Sequence, residues 1–252
     1  MGIFPEFSKF EGSYLNGEAQ LIRKTLVGDL ETPVSAFLKL TAGDRRHAIL
    51  LESVEGGSAR GRYSIIGLKP DLIWRCRNGE AEINRNALLD REHYAPCGKP
   101  PLTSLREVMS ESMIDFEEGL PPMSAGMFGY LGYDMVRQME RLPDANPDAL
   151  GVPDAILMRP TVMVIFDSVK DEITVVTPVR PKSGVSARAA HELALERIDA
   201  AHAALEGPLP AGIPLPAGLS TLEHGISNTT DPDFLPMVEK AKDYIDVGDI
   251  IH

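Results

Sequence analysis

Two neighbouring segments carry the residue types that bind a small zwitterion. An apolar run, Ala48–Leu51, ends in Glu52 and Ser53, and the segment Gly61–Ser64 follows a few residues later. The run is typical of a buried strand, so its end would bring a carboxylate and a hydroxyl to the surface. A carboxylate can hold an ammonium group, and a hydroxyl can hold a carboxylate. The pattern predicts a site for a free amino acid, although an ordinary strand end and turn would explain the same residues.

Two arginines, Arg60 and Arg62, follow this strand end in the sequence. An arginine can meet a carboxylate with two parallel hydrogen bonds, which suits recognition of an amino acid. Both residues fit equally well as surface charges, so the sequence leaves their role open.

Three glycines recur at every third position, at Gly126, Gly129 and Gly132. The lysine and hydroxyl residue of a phosphate-binding loop are missing from this stretch, so we interpret the glycines as sites of close backbone packing. The Tyr133-Asp134 pair that follows could contact a ligand, but a helix with an acidic residue in its first turn explains it equally well.

Neither the histidines nor the cysteines indicate a metal site. The six histidines are scattered without metal-ligand spacing, and we expect His191 and His202 to lie on the polar side of a helix. The two cysteines, Cys76 and Cys97, have no CxxC spacing, so the sequence indicates neither a disulfide framework nor a zinc site. This cysteine usage fits a reducing cytoplasm.

The elements that must position these residues form an α+β pattern with antiparallel pairing. Asn78-Gly79 predicts a hairpin between Leu72–Arg77 and Glu80–Asn84, since both turn residues need a positive φ. A second pair of strands is predicted at Thr161–Phe166 and Glu172–Thr177, and the continuously apolar Val162–Phe166 suggests a strand covered on both faces.

Helices are predicted where apolar residues recur at helical spacing behind capping residues. Thr32 and Pro33 start the first of these, and Thr103-Ser104 is interpreted as the cap of the second. A long helix is expected over Ser186–Glu206, with Leu193, Leu195, Ile198 and Leu205 among its apolar positions, and another follows Thr230-Asp231-Pro232.

Four segments occur in the same order as in one known family. They are Asp29–Leu40, the pair Leu50–Ser53 and Gly61–Gly67, Gly126–Asp134, and Tyr244–Ile250. Together they resemble the N-terminal region of the anthranilate synthase component I family, whose members use chorismate and open tryptophan biosynthesis. The resemblance implies an α/β sandwich of antiparallel sheets flanked by helices, of which this chain would supply an incomplete half.

The resemblance also implies an activity and a regulatory site. Proteins of this family convert chorismate to anthranilate with Mg²⁺, using ammonia that a glutamine amidotransferase subunit, component II, releases from glutamine. L-tryptophan inhibits them by binding the N-terminal region. By motif, Leu51, Glu52 and Ser53 take the position of the family's tryptophan-binding Leu-Glu-Ser. The catalytic residues and the Mg²⁺ carboxylates belong to the family's second half, so the resemblance assigns none of them to this chain.

The family's second half begins at a Gly-Asp-Ile element, which matches Gly248-Asp249-Ile250. We therefore expect the chain to be truncated before the catalytic half and to be inactive alone. Ile251-His252 departs from the family pattern, which has an aromatic residue followed by Gln. Two alternatives remain open: component I of aminodeoxychorismate synthase, which shares the fold, and a non-catalytic tryptophan-sensing module.

Composition sets the domain organisation and excludes several partners. The 252 residues are 43% hydrophobic, enough for a sizeable core. With 25 basic and 37 acidic residues the net charge is −12, which repels nucleic acid and anionic membranes. A stretch rich in Pro and Gly marks a linker at 207–229. We predict a tryptophan-binding domain at 1–206 and the start of the chorismate-binding domain at 230–252.

Overall fold

The computed structural model describes residues 2–53, 61–116, 119–121, 123–143, 148, 150–211, 227 and 229–250. The chain forms two compact units, Met1–Pro210 and Ala211–His252. The first holds a nine-stranded sheet flanked by helices, and the second holds one helix in its described part. This mixed architecture confirms the predicted fold class, with an antiparallel sheet and flanking helices.

The elements follow one another along the chain with these bounds. The strands are β1 (Ile3–Phe4), β2 (Gln20–Val27), β3 (Ile49–Leu51), β4 (Tyr63–Arg77), β5 (Glu80–Asn84), β6 (Ala95–Pro96), β7 (Phe128–Leu131), β8 (Ala155–Asp167) and β9 (Glu172–Val179). The helices are α1 (Phe7–Leu15), α2 (Pro33–Leu40), α3 (Pro101–Ser112), α4 (Ala187–Glu206) and α5 (Asp231–Asp246), with a 3-10 helix at Tyr133–Gln138.

The sheet is built around one long antiparallel ribbon, β4 with β8. Both strands change their outer partner along their length: β4 pairs first with β3 and then with β5, while β8 pairs first with β7 and then with β9. The register shifts between Pro70 and Leu72, opposite Pro160, where a bulge bends the ribbon. Outward from β9 come β2 and β1, and outward from β5 comes β6.

Two faces of the sheet are covered differently. Helices α1, α2 and α4 pack on one face and form the largest core cluster, around Phe10, Ile22, Ile66 and Ile198. The other face carries Ile65, Met163 and Ile165 and is covered by residues on both sides of the 117–118 gap, among them Ile114, Leu120 and Phe128. A third cluster lies where α3 and the 3-10 helix meet the β4–β5 hairpin, around Trp74, Leu105 and Met135.

Several local predictions are confirmed. Asn78 and Gly79 have φ values of 51° and 75° between β4 and β5, as the hairpin requires. Thr32 caps α2: its side chain accepts from the Ser35 N–H, and Pro33 occupies the first turn. Residues 162–166 of β8 are all buried. The long helix also forms where expected, with the Ser186 side chain accepting from the Ala189 N–H at 3.2 Å.

Other predictions are wrong for tertiary reasons. Helix α3 starts at Pro101, so Ser104 does not cap it but lies inside it, buried against Trp74. His191 is not on a polar face: it is buried between the rings of Phe7 and Phe10, because α1 packs on that side of α4.

His202, the second histidine expected on the polar side, lies partly exposed with Nδ1 at 3.2 Å from Lys24 Nζ. The buried face of α4 consists largely of alanines, which let the helix approach α1 and β9 closely, and Leu193 is exposed.

The second unit contains α5, which begins after Thr230 and ends before Gly248, whose φ is 82°. Most of the predicted linker lies outside the described residues, so the domain boundaries remain a prediction. Within the part of the chain that is described, no helix is both long and apolar enough to cross a membrane.

Candidate functional site

The Leu51-Glu52-Ser53 segment lies at the end of β3, an edge strand of three residues. Leu51 pairs with Ile65 of β4, and the Ser53 N–H donates to Ser64 Oγ at 3.3 Å. The prediction of a buried strand is wrong here: in the described part β3 pairs only with β4, and Leu51 is 44% exposed. Of the polar residues that follow, Glu52 is exposed and Ser53 is half-buried.

Two cavities of about 280 and 300 Å³ meet at this segment, and Glu52, Ser53 and Arg62 line both. The first has a mainly apolar wall, made by Leu51, Tyr63, Ile65 and Met123. The second has an acidic wall, made in part by Glu31, Asp167, Asp171 and Glu172. The segment therefore separates an apolar compartment from a negatively charged one.

Arg62 is held in place by Asp167, which lies 105 residues further along the chain. Its Nε and Nη2 donate to the two carboxylate oxygens at 2.8 and 2.6 Å. This pairing lowers the pKa of the Asp167 carboxyl below its usual range and raises the pKa of the Arg62 guanidinium. Because the Nε–Nη2 edge is occupied, this arrangement does not leave it for bidentate binding of a ligand carboxylate. Arg60 lies outside the described residues.

Asp167 also anchors the turn between β8 and β9, because its Oδ1 accepts from the N–H groups of Val169 and Lys170. Sequence analysis missed this residue, since its partner becomes adjacent only through the β4–β8 register, which sets Tyr63 opposite Asp167. The sequence alone indicates only that Asp167 follows the apolar run of a predicted strand.

The acidic wall is partly neutralised by Lys39. The Lys39 ammonium pairs with Glu31 and donates to the Leu205 carbonyl at the end of α4, at 2.9 Å. Glu31 also accepts from the Ser35 hydroxyl at 2.8 Å. Helix α2 therefore fixes one side of the second cavity, while Glu52 stays exposed at its border.

The glycines of the 126–132 stretch serve close packing, as predicted, at two of the three positions. A Cβ on Gly129, whose φ is 157°, would lie 1.9 Å from the Ile156 carbonyl oxygen, and one on Gly132 would lie 2.7 Å from that of Asp154. At Gly126, whose φ is 147°, a Cβ would make only an ordinary van der Waals contact, 3.8 Å from the Phe128 ring. Tyr133 and Asp134 begin the 3-10 helix, in which Asp134 pairs with Arg137 at 2.9 Å.

Thiol chemistry and metal binding find little support in the described ranges. Burial raises the pKa of the Cys76 thiol to about 11, assisted by the Asp154 carboxylate, and burial also raises the pKa of Cys97. No group of three or more His, Cys, Asp or Glu side chains in this part of the chain is arranged to hold a metal ion.

Comparison with known proteins places the chain in a family. A family model described as chorismate binding enzyme matches residues 48–252. Anthranilate synthase component 1 of Cereibacter sphaeroides is 48% identical over 244 residues, which are 97% of this chain and 48% of the relative. The Thermus thermophilus protein of the same name is 36% identical over 230 residues, 90% of this chain and 45% of the relative.

A solved structure shows the same fold. The crystal structure of anthranilate synthase component I from Streptococcus pneumoniae TIGR4 matches with a TM-score of 0.51 and 22% identity, over 89% of this chain and 46% of that one. The chain spans about half the length of the curated relatives it matches. Since the family model covers most of its residues, the chain belongs to the family of chorismate binding enzymes.

Proposed function

We propose that the chain is the tryptophan-binding N-terminal part of an anthranilate synthase component I, a cytoplasmic lyase that forms anthranilate from chorismate in tryptophan biosynthesis. The observation that carries the proposal is the 48% identity over 97% of the chain to the Cereibacter sphaeroides relative. Because the chain spans about half of that relative, the reaction, its Mg²⁺ and the glutamine-derived ammonia from a partner amidotransferase are proposed for the whole protein. We assign neither catalytic residues nor magnesium ligands to this chain.

The proposed tryptophan site is the junction of the two cavities at Leu51-Glu52-Ser53. The compartment lined by Leu51, Tyr63 and Ile65 offers an apolar and aromatic surface against which an indole ring can pack. The exposed Glu52 carboxylate at the border suits an ammonium group, and the Ser53 hydroxyl suits the polar end of the ligand. Feedback inhibition would follow if tryptophan bound here stabilises a less active form of the enzyme.

Two chimeras test the proposed function against the alternatives. One joins residues 1–252 to the second half of the Cereibacter sphaeroides relative, and the other joins them to the second half of an aminodeoxychorismate synthase component I. Each is supplied with chorismate, Mg²⁺ and ammonia. We expect anthranilate and pyruvate from the first and little turnover from the second. Activity in the second chimera only would favour aminodeoxychorismate synthase. Tryptophan binding without activity in either would favour the sensing module.

A substitution in the active chimera tests the tryptophan site. Ser53→Phe removes a hydrogen-bond partner and fills the space beside Glu52, and such a loss costs roughly 1–3 kcal/mol of binding free energy. We therefore expect the half-inhibiting tryptophan concentration to rise about 10-fold to 100-fold. The matched control is Ser110→Phe, at an exposed position of α3. Equal half-inhibition in Ser53→Phe and the parent would remove Ser53 from the site, and loss of activity without tryptophan would make its role structural.

A further inference from the structure

Lys39 is a nearly buried cation that joins two elements of the first unit. Its side chain is 11% exposed, and its ammonium pairs with the Glu31 carboxylate, whose side chain is 15% exposed. The same Nζ donates to the Leu205 carbonyl at 2.9 Å. A charged group that has left water is stable only when it is paired in this way, so both contacts hold the ammonium in place. Lys39 therefore ties the residues before α2 to the last turn of α4.

The Glu31 carboxylate also belongs to the wall of the acidic cavity of about 300 Å³, which Glu52 lines as well. Among the described residues of that wall the one cation is Arg62, whose guanidinium is held by Asp167. An ammonium group that enters the cavity therefore meets an excess of carboxylates. Glu31 can serve such a group only by sharing its charge with Lys39.

The last turn of α4 depends on contacts from outside the helix. The final carbonyl groups of a helix lack partners within it, and they carry the negative end of its dipole. The Lys39 ammonium supplies both a hydrogen-bond donor and a positive charge to the Leu205 carbonyl. Helix α4 ends at Glu206, and the first unit ends at Pro210. Lys39 thus acts on the backbone that leads out of the first unit.

We infer that Lys39 couples the acidic cavity to the last turn of α4, and that the ammonium of bound tryptophan weakens this contact by drawing on the Glu31 carboxylate. The inference rests on the proposed function, which supplies the ligand, and it names a route of regulation for the same site. A carboxylate shared between two cations holds each of them less strongly, and the two ammonium groups repel each other. With less hold from Glu31, Lys39 donates less persistently to the Leu205 carbonyl, and the last turn of α4 opens more often. The coupling is reciprocal, so the pull of Lys39 on Glu31 weakens tryptophan binding.

The test measures tryptophan binding to the 252-residue chain by titration calorimetry, and amide hydrogen exchange at residues 203–207 by mass spectrometry. In the parent, saturating L-tryptophan should speed this exchange at least about threefold. Lys39→Met keeps an unbranched side chain without the charge. Exchange should be faster in this variant before ligand is added, tryptophan should change it by less than about 1.5-fold, and tryptophan should bind at least about threefold more tightly. The matched control, Lys182→Met, replaces an exposed lysine shortly before α4 and should behave as the parent does.

Glu31→Gln tests the same route from the side of the cavity. A glutamine can still accept from Lys39 but lacks the charge that attracts an ammonium group, so tryptophan should bind at least about threefold more weakly. At saturating tryptophan its effect on exchange at residues 203–207 should fall below about 1.5-fold. Thermal melts show whether each variant is folded, and Glu31→Gln decides the question if Lys39→Met fails to fold.

The outcomes separate this inference from the proposed function. If the parent chain does not bind tryptophan, the proposed tryptophan site is overturned and the coupling with it. If the parent binds tryptophan but exchange at residues 203–207 does not change, or changes equally in Lys39→Met, the site stands and the coupling is overturned. Weaker tryptophan binding to Lys39→Met would show that Lys39 supports the ligand, which overturns the competition for Glu31.

Discussion

The hydrogen bond between Trp74 and Ser104 allows a quantitative prediction about the core cluster around Trp74, Leu105 and Met135. Trp74 is fully buried, and its Nε1–H donates to Ser104 Oγ at 3.0 Å. The Ser104 hydroxyl in turn donates to the Pro101 carbonyl at 3.0 Å. Met135 of the 3-10 helix belongs to the same cluster, so this bond lies where α3, β4 and the 3-10 helix pack together.

Ser104→Ala leaves the indole N–H buried without a partner, which costs about 1–3 kcal/mol. The higher helix propensity of alanine offsets about 0.5 kcal/mol of this. With a denaturant slope of about 3 kcal/mol per molar urea, a net loss of about 0.5–2.5 kcal/mol lowers the unfolding midpoint by roughly 0.2–0.8 M. The chain has one tryptophan, so urea titration followed by tryptophan fluorescence reports directly on this site.

The control is Ser110→Ala in the same helix, where the side chain is exposed. It gains the helix propensity of alanine without losing a buried partner, so its midpoint should equal or slightly exceed that of the parent. Equal midpoints for Ser104→Ala and Ser110→Ala would refute the reasoning, since the buried bond would then contribute nothing.

Two further predictions concern backbone packing and pH. Gly129→Ala should destabilise the fold by more than about 2 kcal/mol, because its Cβ would meet the Ile156 carbonyl. Gly12→Ala in α1, where a Cβ has open space, should stabilise the fold by up to about 1 kcal/mol. Thermal melts of both variants test these two expectations. Burial lowers the pKa of His191 below 6.5, so the folded state favours the neutral ring. The contribution of the neutral ring to stability should therefore be complete above about pH 6.5 and decrease as the pH falls below that value. The urea midpoint of His191→Leu should therefore change less between pH 5 and 8 than the midpoint of the parent or of His202→Gln. An equal pH dependence in all three proteins would contradict the attribution of this pH dependence to His191.

Features that depend on a few neighbouring residues could be predicted from the sequence. The Asn78-Gly79 turn needs two positive φ values, and the start of α2 needs a capping hydroxyl followed by proline, so a short stretch of chain contains the whole signal. The apolar run Val162–Phe166 likewise predicts a strand buried on both faces.

Features that depend on remote contacts could not be predicted in this way. Whether β3 is central or at an edge depends on which strand lies beside it, and a run of three apolar residues does not contain that information. The burial of His191 requires Phe7 and Phe10 from α1, and the role of Asp167 requires Arg62 from the other end of the ribbon. The motif in the sequence therefore identified the Leu51-Glu52-Ser53 segment, whereas the acidic wall of the cavity beside it could be recognised only from the structure.

The β4–β8 ribbon places the proposed tryptophan site and strand β7 at its opposite ends. At one end Tyr63 faces Asp167 beside the Leu51–Ser53 segment, and at the other end Cys76 faces Ala155 next to β7. Thirteen residues at about 3.3 Å each separate the ends by roughly 40 Å along the strand. An amino acid bound at Ser53 is too small to reach β7 across that distance, so a substitution in β7 alters no direct contact of that ligand. Any coupling between a ligand at Ser53 and strand β7 within this unit must pass through the ribbon, whose register shifts between Pro70 and Leu72, or through the layers packed on it.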